Sequence, residues 1–316
     1  MSARPLPLLV IAGPTATGKT RLALEVAREV GGEILSADAF QIYRGLEIGT
    51  AQPTAEERGE IPFHLVGEIP PEQPFTVAQF KERAEAAIAE ISARGKLPIL
   101  CGGTGLYFRT LLRHYDLPPP PGPEGIAIRQ RLHEEAERLG EGAMHDRLRA
   151  VDPASALRLG PGNARRVLRA LEVWELTGRP LSERSGVDPT PAFRYNASTY
   201  VLTCPRRLLY ERIEQRVAQM LGAGWLEEVR ALRQAGFTPD LPALRALGYA
   251  ELYAVLEGRA TLPEATEALG SATRRFAKRQ LTWFRREYGF TWMTWENEAQ
   301  WARFSRHLCG VAGGLL

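Results

Sequence analysis

The sequence predicts an α/β fold, a parallel sheet flanked by helices and interrupted by a helical insertion, and three observations lead to it. The apolar run Leu8-Leu9-Val10-Ile11-Ala12 passes into Gly13-Pro14-Thr15-Ala16-Thr17-Gly18-Lys19-Thr20, and the next residues are apolar at 22, 23, 26 and 27. Two further apolar runs, Glu33–Ser36 and Lys96–Cys101, also end at loops of small residues. Composition then changes at Leu117-Pro-Pro-Pro-Pro-Gly-Pro123, after which a helical pattern runs to about residue 180 before a strand pattern returns at Thr199–Thr203. Strand runs alternating with helical runs are the pattern of βαβ units, and a stiff proline stretch marks a boundary.

The first strand, loop and helix together form a phosphate cradle. Gly13 and Gly18 let the backbone turn tightly and bring several amide N–H groups to one point. Lys19 adds a positive charge, Thr20 a hydroxyl for Mg²⁺, and the helix N-terminus favours anions. The second strand closes at Ala37-Asp38, which puts Asp38 at the carboxyl edge of the sheet, where the phosphate loop also lies. From position alone, Asp38 can meet a ligand or cap a helix at Phe40–Tyr43. Residues 44–75, rich in glycine and proline, read as one long irregular loop. Thr76 caps a helix with Val77, Phe80, Ala84, Ala87, Ile88 and Ile91 on one stripe. The third strand ends in Gly102-Gly103-Thr104-Gly105, whose Thr104 hydroxyl can serve the site or cap the following helix.

Helices are expected at Ile126–Leu139, Gly142–Val151 and Asn163–Thr177, followed by a proline- and glycine-rich stretch to about 191. After the strand at Thr199–Thr203 come helices at Pro205–Leu221, Trp225–Gln234, Pro242–Leu256 and Pro263–Arg286, and a closing strand at Phe290–Thr294. Residues 1–117 and 192–316 thus form a core, and 118–191 an insertion.

Composition is that of a globular protein, 44% hydrophobic and 24% charged, with net charge +3. Only Lys19, Lys81, Lys96 and Lys278 are lysine among 40 basic residues. Arginine suits bidentate phosphate contact and stacking on bases, although a genome biased toward arginine codons explains the count as well. Cys101, Cys204 and Cys309 show no C-x-x-C spacing, and a reducing compartment, the cytoplasm, is expected. The sequence has no run of membrane-spanning length, and the five histidines form no metal-binding pattern. Arg165, Arg166 and Arg169 cluster within one turn, Arg212 and Arg216 lie one turn apart, and a third cluster spans 274–286 beside Trp283, Phe284 and Tyr288. The aromatics beside the last cluster suit RNA, where bases stack on rings and guanidinium planes, and each cluster can equally be a solvated face with interleaved glutamates.

A phosphate loop with an acid across the crevice fits a small-metabolite kinase. No N-K-x-D or D-x-x-G occurs, which argues against a GTPase, and the strand ending at Cys101 lacks the terminal aspartate usual in ATPases. The loop does not say whether phosphate is transferred or discarded.

Longer motifs decide between these. Gly13–Thr20, Asp38-Ala-Phe-Gln-Ile-Tyr-Arg-Gly-Leu-Glu-Ile-Gly-Thr-Ala-Gln-Pro53, Gly102-Gly-Thr-Gly-Leu-Tyr107, Asn163–Glu172, Arg212-Ile-Glu-Gln-Arg216, Leu247-Gly-Tyr249 and Ala277–Arg285 resemble the tRNA dimethylallyltransferase family along the whole chain. The resemblance implies a P-loop NTPase-like core with a helical insertion domain that contacts tRNA. It implies transfer of a dimethylallyl group from dimethylallyl diphosphate to N6 of the adenosine 3′-adjacent to the anticodon, with Mg²⁺ on Thr20. In that family pattern Gly13, Pro14, Thr15, Ala16, Thr17, Gly18, Lys19 and Thr20 hold the diphosphate, Asp38 is the general base, and Thr104 and Arg216 complete the catalytic set. The same pattern assigns contacts to the tRNA anticodon stem-loop to Asp38, Ala39, Phe40, Gln41, Thr104, Arg165, Arg166, Val167, Leu168, Arg169, Arg245, Gly248 and Tyr249. Ala39 and Ala250 depart from it, where serine and a basic residue are usual. A monomer is expected, with no membrane partner.

Overall fold

The structure, a computed structural model, describes residues 4–115, 117, 122–184 and 192–316. The chain divides into two compact units, Met1–Leu112 with Pro191–Leu316, and Arg113–Thr190. In the first, β1 (Pro7–Ala12), β2 (Glu33–Ala37), β3 (Phe63–His64), β4 (Pro98–Gly102), β5 (Asn196–Thr203) and β6 (Thr291–Thr294) form one sheet in the order β3-β2-β4-β1-β5-β6. All five pairings are parallel. β1 shows why both faces of this sheet are covered. Leu8, Val10 and Ala12 enter one apolar cluster, while Leu9 and Ile11 enter a second on the opposite face, as alternation along a strand requires.

The helices of this unit before the insertion are α1 (Lys19–Val30), α2 (Ala55–Arg58), α3 (Val77–Ala93) and α4 (Gly105–Leu112). α1 buries Leu22, Ala23, Leu24, Val26 and Ala27. α3 begins where expected, with a reciprocal cap between Thr76 and Gln79, and buries Phe80, Ala84, Ala87, Ile88 and Ile91. Residues 44–75 are more ordered than their composition indicates. Thr54 and Glu57 form a capping box that nucleates α2, and Phe63–His64 pairs with β2 as an edge strand.

The second unit contains α5 (Pro123–Leu139), α6 (Glu141–Val151), α7 (Pro153–Arg158), α8 (Ala164–Thr177) and α9 (Leu181–Arg184). Its core is built from Leu132, Met144, Leu148, Val167, Leu168 and Leu171. The short α7 and α9 have too few turns for a periodic signal. α7 starts at Asp152, whose carboxylate accepts from Ser155 N at 2.9 Å and from Ser182 N at 3.0 Å. The proline linker at 117–123 and the stretch before 192 fall largely outside the described residues.

The first unit then resumes with α10 (Arg206–Gly222), α11 (Trp225–Gln234), a 3-10 turn (Pro242–Arg245), α12 (Tyr249–Leu256), α13 (Leu262–Phe284) and α14 (Glu298–Leu315). The single helix expected at 242–256 is broken, because Gly248 takes φ 102° directly under the Trp225 ring, where no Cβ fits. α14, which periodicity did not show, packs along α1 and buries Trp301, Leu308 and Ala312. Among the described residues no helix is long and apolar enough to cross a membrane.

Phe108, 1% exposed on α4, meets Phe284 edge-on at 5.6 Å and Phe290 at 6.4 Å between ring centres. Phe108→Ala is expected to cost about 3–5 kcal/mol, read from the urea midpoint, because it leaves a cavity beside the Phe284 and Phe290 rings.

Candidate active site

The loops that follow β1, β2 and β4 and the helix after β5 meet at the carboxyl edge of the sheet, where open parallel sheets bind ligands. They surround a cavity of about 470 Å³ whose polar wall includes Thr15, Asp38, Thr104, Arg216 and Arg245. Val217, Phe276 and Trp283 supply much of its apolar wall. Such a cavity suits an apolar group with charged groups at its ends.

Asp38 leaves β2 and turns. Its Oδ1 accepts from Phe40 N at 2.9 Å, and residues 40–43 form a bend and a turn that end in a bridge from Tyr43 to Ile69 rather than a helix, so the carboxylate caps no helix. Thr104 grips both neighbours of Asp38: its backbone N donates to Ala37 O, and its Oγ1 accepts from Ala39 N, each at 3.1 Å. Thr104 therefore does not cap α4 with its side chain; it fixes the aspartate's backbone. Ala39 and Phe40 line the cavity. Gln41 does not: its Nε2 donates to Thr50 O (3.2 Å) and Ala51 O (3.0 Å), and its Oε1 accepts from Ser36 Oγ (2.7 Å). This amide braces the adjoining loop with both of its N–H groups and has no donor left for RNA.

In the phosphate loop, Gly18 takes φ 90° at the N-cap of α1. Lys19 Nζ donates to Pro14 O at 2.6 Å, and Thr17 Oγ1 donates to the same oxygen at 2.8 Å. Thr17 can therefore offer a ligand only its backbone. Burial pushes the Lys19 ammonium down to about 8, and Arg216 adds to this while Cys101 and Asp38 oppose it. Thr15 reaches the cavity wall, and Ala16 borders a smaller polar recess of about 150 Å³ shared with Arg212 and Arg216. Arg216 thus faces both spaces. Burial lowers its pKa first, with Asp38 pulling it back.

Several side chains support the phosphate loop in a way that only the fold shows. Arg212 Nε donates to Ala16 O at 2.7 Å and its guanidinium lies over the Trp295 ring at 5.0 Å. Trp295 Nε1 donates to Thr17 O at 3.0 Å, and the Trp301 ring closes on Gly18. Gln280 reaches the loop from α13, where its Oε1 accepts from Thr15 N at 3.0 Å. Glu228 holds the wall at Ile48 N (2.7 Å) and Gly49 N (3.0 Å).

The expected RNA contacts divide. Arg245 is exposed at the end of the 3-10 turn and borders the cavity. Gly248 and Tyr249 are buried, and Tyr249 donates its hydroxyl to Glu228 at 2.8 Å, so neither has a surface for a ligand. In the helical unit Arg165 and Arg166 are exposed, whereas Val167 and Leu168 form part of its core. Arg169 pairs with Glu172, which Arg129 also contacts at 2.8 Å. Only the arginines of this stretch present side chains outward, because the helical period turns 167 and 168 inward.

An IPP transferase profile matches residues 41–287. The chain belongs to the IPP transferase family. An isopentenyl transferase profile matches residues 6–62, the segment with the phosphate loop and Asp38. Over 313 residues this IPP transferase is 45% identical to the tRNA dimethylallyltransferase of Pelotomaculum thermopropionicum, covering 98% of each chain. Over 291 residues it is 49% identical to that of Symbiobacterium thermophilum, covering 91% of this chain and 89% of the relative. Its fold matches the full-length tRNA isopentenylpyrophosphate transferase of Bacillus halodurans with a TM-score of 0.70 at 38% identity, covering 98% of this chain and 97% of the other. A eukaryotic dimethylallyltransferase captured acting on tRNA matches with a TM-score of 0.78 at 26% identity, covering 94% and 75%. The core is P-loop NTPase-like in this family, and the kinase alternative is not favoured.

Proposed function

We propose that this IPP transferase moves a dimethylallyl group from dimethylallyl diphosphate to N6 of the adenosine 3′-adjacent to the anticodon in tRNAs, giving N6-isopentenyladenosine. The observation that carries this reading is the cavity itself. Its wall brings together Thr15 of the phosphate loop, Arg216, and Asp38 with the Thr104 that holds its backbone, around an apolar pocket, and Lys19 stands behind that wall, close enough for the charges of Arg216 and Asp38 to act on it.

In the reaction the allylic C–O bond breaks and an N6–C bond forms, and N6 gives up a proton. The adenine amine is a weak nucleophile, and Asp38 accepts that proton. Lys19, Arg216 and the loop amides hold the departing diphosphate as its charge grows. Phe276 and Trp283 enclose the five-carbon chain and keep water from the allylic centre. The base must leave its stack to enter, which is cheapest from a single-stranded loop.

Mg²⁺ fits this donor set. In a phosphate loop of this pattern the Ser or Thr that follows the lysine offers its hydroxyl to Mg²⁺, and the remaining positions go to substrate phosphates and water. The Thr20 hydroxyl would be its protein ligand, and the ion would supply charge neutralisation at the leaving diphosphate.

The test is incubation of the purified chain with labelled dimethylallyl diphosphate and unmodified tRNA. Label in N6-isopentenyladenosine is expected; transfer of the γ-phosphate of ATP to a metabolite, with no label in RNA, would overturn the reading. Arg165, Arg166 and Arg245 serve as tRNA phosphate contacts in this scheme. Arg166→Ala is expected to weaken tRNA binding and reduce the slope of log K against log salt by about 1, measured by filter binding. An unchanged slope removes Arg166 from the interface.

A further inference from the structure

Gln280, 6% exposed, engages both ends of its amide across the site. Its Oε1 accepts from Thr15 N, in the loop after β1, and its Nε2 donates to Gly103 O, in the loop after β4, each at 3.0 Å. The two partners are backbone groups of opposite kind, one N–H and one C=O, so only a side chain with an acceptor and a donor on one carbon satisfies both. Gly103 accommodates this strap: a Cβ there would come within 2.2 Å of Gln280 Nε2. The same helix carries Phe276 and Trp283, so the strap, the apolar wall and both loops are joined through α13.

We propose that Gln280 is a positioning residue that sets the spacing between the two halves of the site, the phosphate loop on one side and the Thr104 loop that fixes Asp38 on the other. This rests on the transfer reaction proposed above, in which the reacting carbon is held by the first half and the reacting nitrogen by the second. Breaking the strap leaves each half intact and loosens their registration, so the loss falls on kcat rather than on either KM.

The test uses Gln280→Met and Gln280→Glu in the full chain, assayed with dimethylallyl diphosphate and tRNA. Gln280→Met, isosteric and without either hydrogen bond, is expected to lower kcat about 30- to 100-fold with both KM values within about fivefold. Gln280→Glu separates positioning from folding. An ionised carboxylate has no donor for Gly103 O, whereas a protonated one has an acceptor and a donor and restores the strap. Its kcat relative to the parent at the same pH is therefore expected to rise about tenfold from pH 8 to pH 5.5, while the Gln280→Met ratio stays flat. A kcat for Gln280→Met within threefold of the parent, or the same pH dependence in both variants, overturns the proposal. If Gln280→Met does not fold, the rise within Gln280→Glu alone decides. A parent that transfers no label overturns the transfer reaction instead, and the strap is then read from hydrogen exchange at the Thr15 amide. That amide should be protected in the parent and exposed in Gln280→Met, which has no acceptor for it, and equal protection in these two would overturn the strap.

Discussion

Asp38→Asn is expected to lower kcat by about three orders of magnitude while tRNA affinity stays within about twofold. The substitution is close to isosteric, and an asparagine Oδ1 can still accept from Phe40 N, as the aspartate does at 2.9 Å. Thr104 holds the flanking residues through Ala37 O and Ala39 N, neither of which involves the altered side chain. The shape of the turn therefore survives and the proton acceptor alone is lost. Single-turnover transfer with the purified variant, alongside tRNA binding, measures both quantities. A rate within tenfold of the parent would sink the assignment of Asp38 as base.

Lys19→Met is expected to raise the KM for dimethylallyl diphosphate by about a hundredfold and to lower kcat as well, since the charge acts on the bound diphosphate and more strongly on the departing one. Stability should not fall in parallel, because replacing a buried ammonium with an apolar chain removes a desolvation penalty. The pH dependence gives a second handle. With the free-enzyme ammonium pushed down to about 8, Lys19 is charged below that pH and neutral above it. Donor affinity should therefore weaken as pH rises through about 8, and diphosphate binding near that pH should take up a proton. Calorimetry in buffers of different ionisation enthalpy reads the uptake directly. The Met variant should show neither effect.

How much of this was legible in the sequence depended on whether a signal was local. The phosphate loop, Asp38 and Thr104 were readable because glycine, hydroxyl and carboxylate each stand at the end of a strand, and parallel strands bring their ends to one edge. The sheet strands were found, except for Phe63–His64, which is too short to alternate. α14 was missed because its buried residues Trp301, Leu308 and Ala312 are sparse and its end is glycine-rich. Val167, Leu168 and Tyr249 were misplaced for a different reason. They sit in motifs beside arginine or glycine, and a motif is contiguous in sequence while its side chains point to opposite sides of a helix. Nothing local marked Gln280 and Trp295 as braces, since their partners in the loop are 265 and 278 residues away, and Arg212, legible as one of a basic pair, gave no sign that it would hold Ala16 O, 196 residues away.

That last feature bears on the order in which the protein is made. The cradle's own residues, Gly13–Thr20, leave the ribosome early, but the side chains that tie its carbonyls and amides come from positions 212, 280 and 295, with the Trp301 ring closing on Gly18. A nascent chain holds the loop long before it holds the braces, and contacts of such sequence separation form late. The braced form of the phosphate loop therefore depends on residues as far along as Trp301, and a chain that stops short of position 212 has the loop without any of these braces.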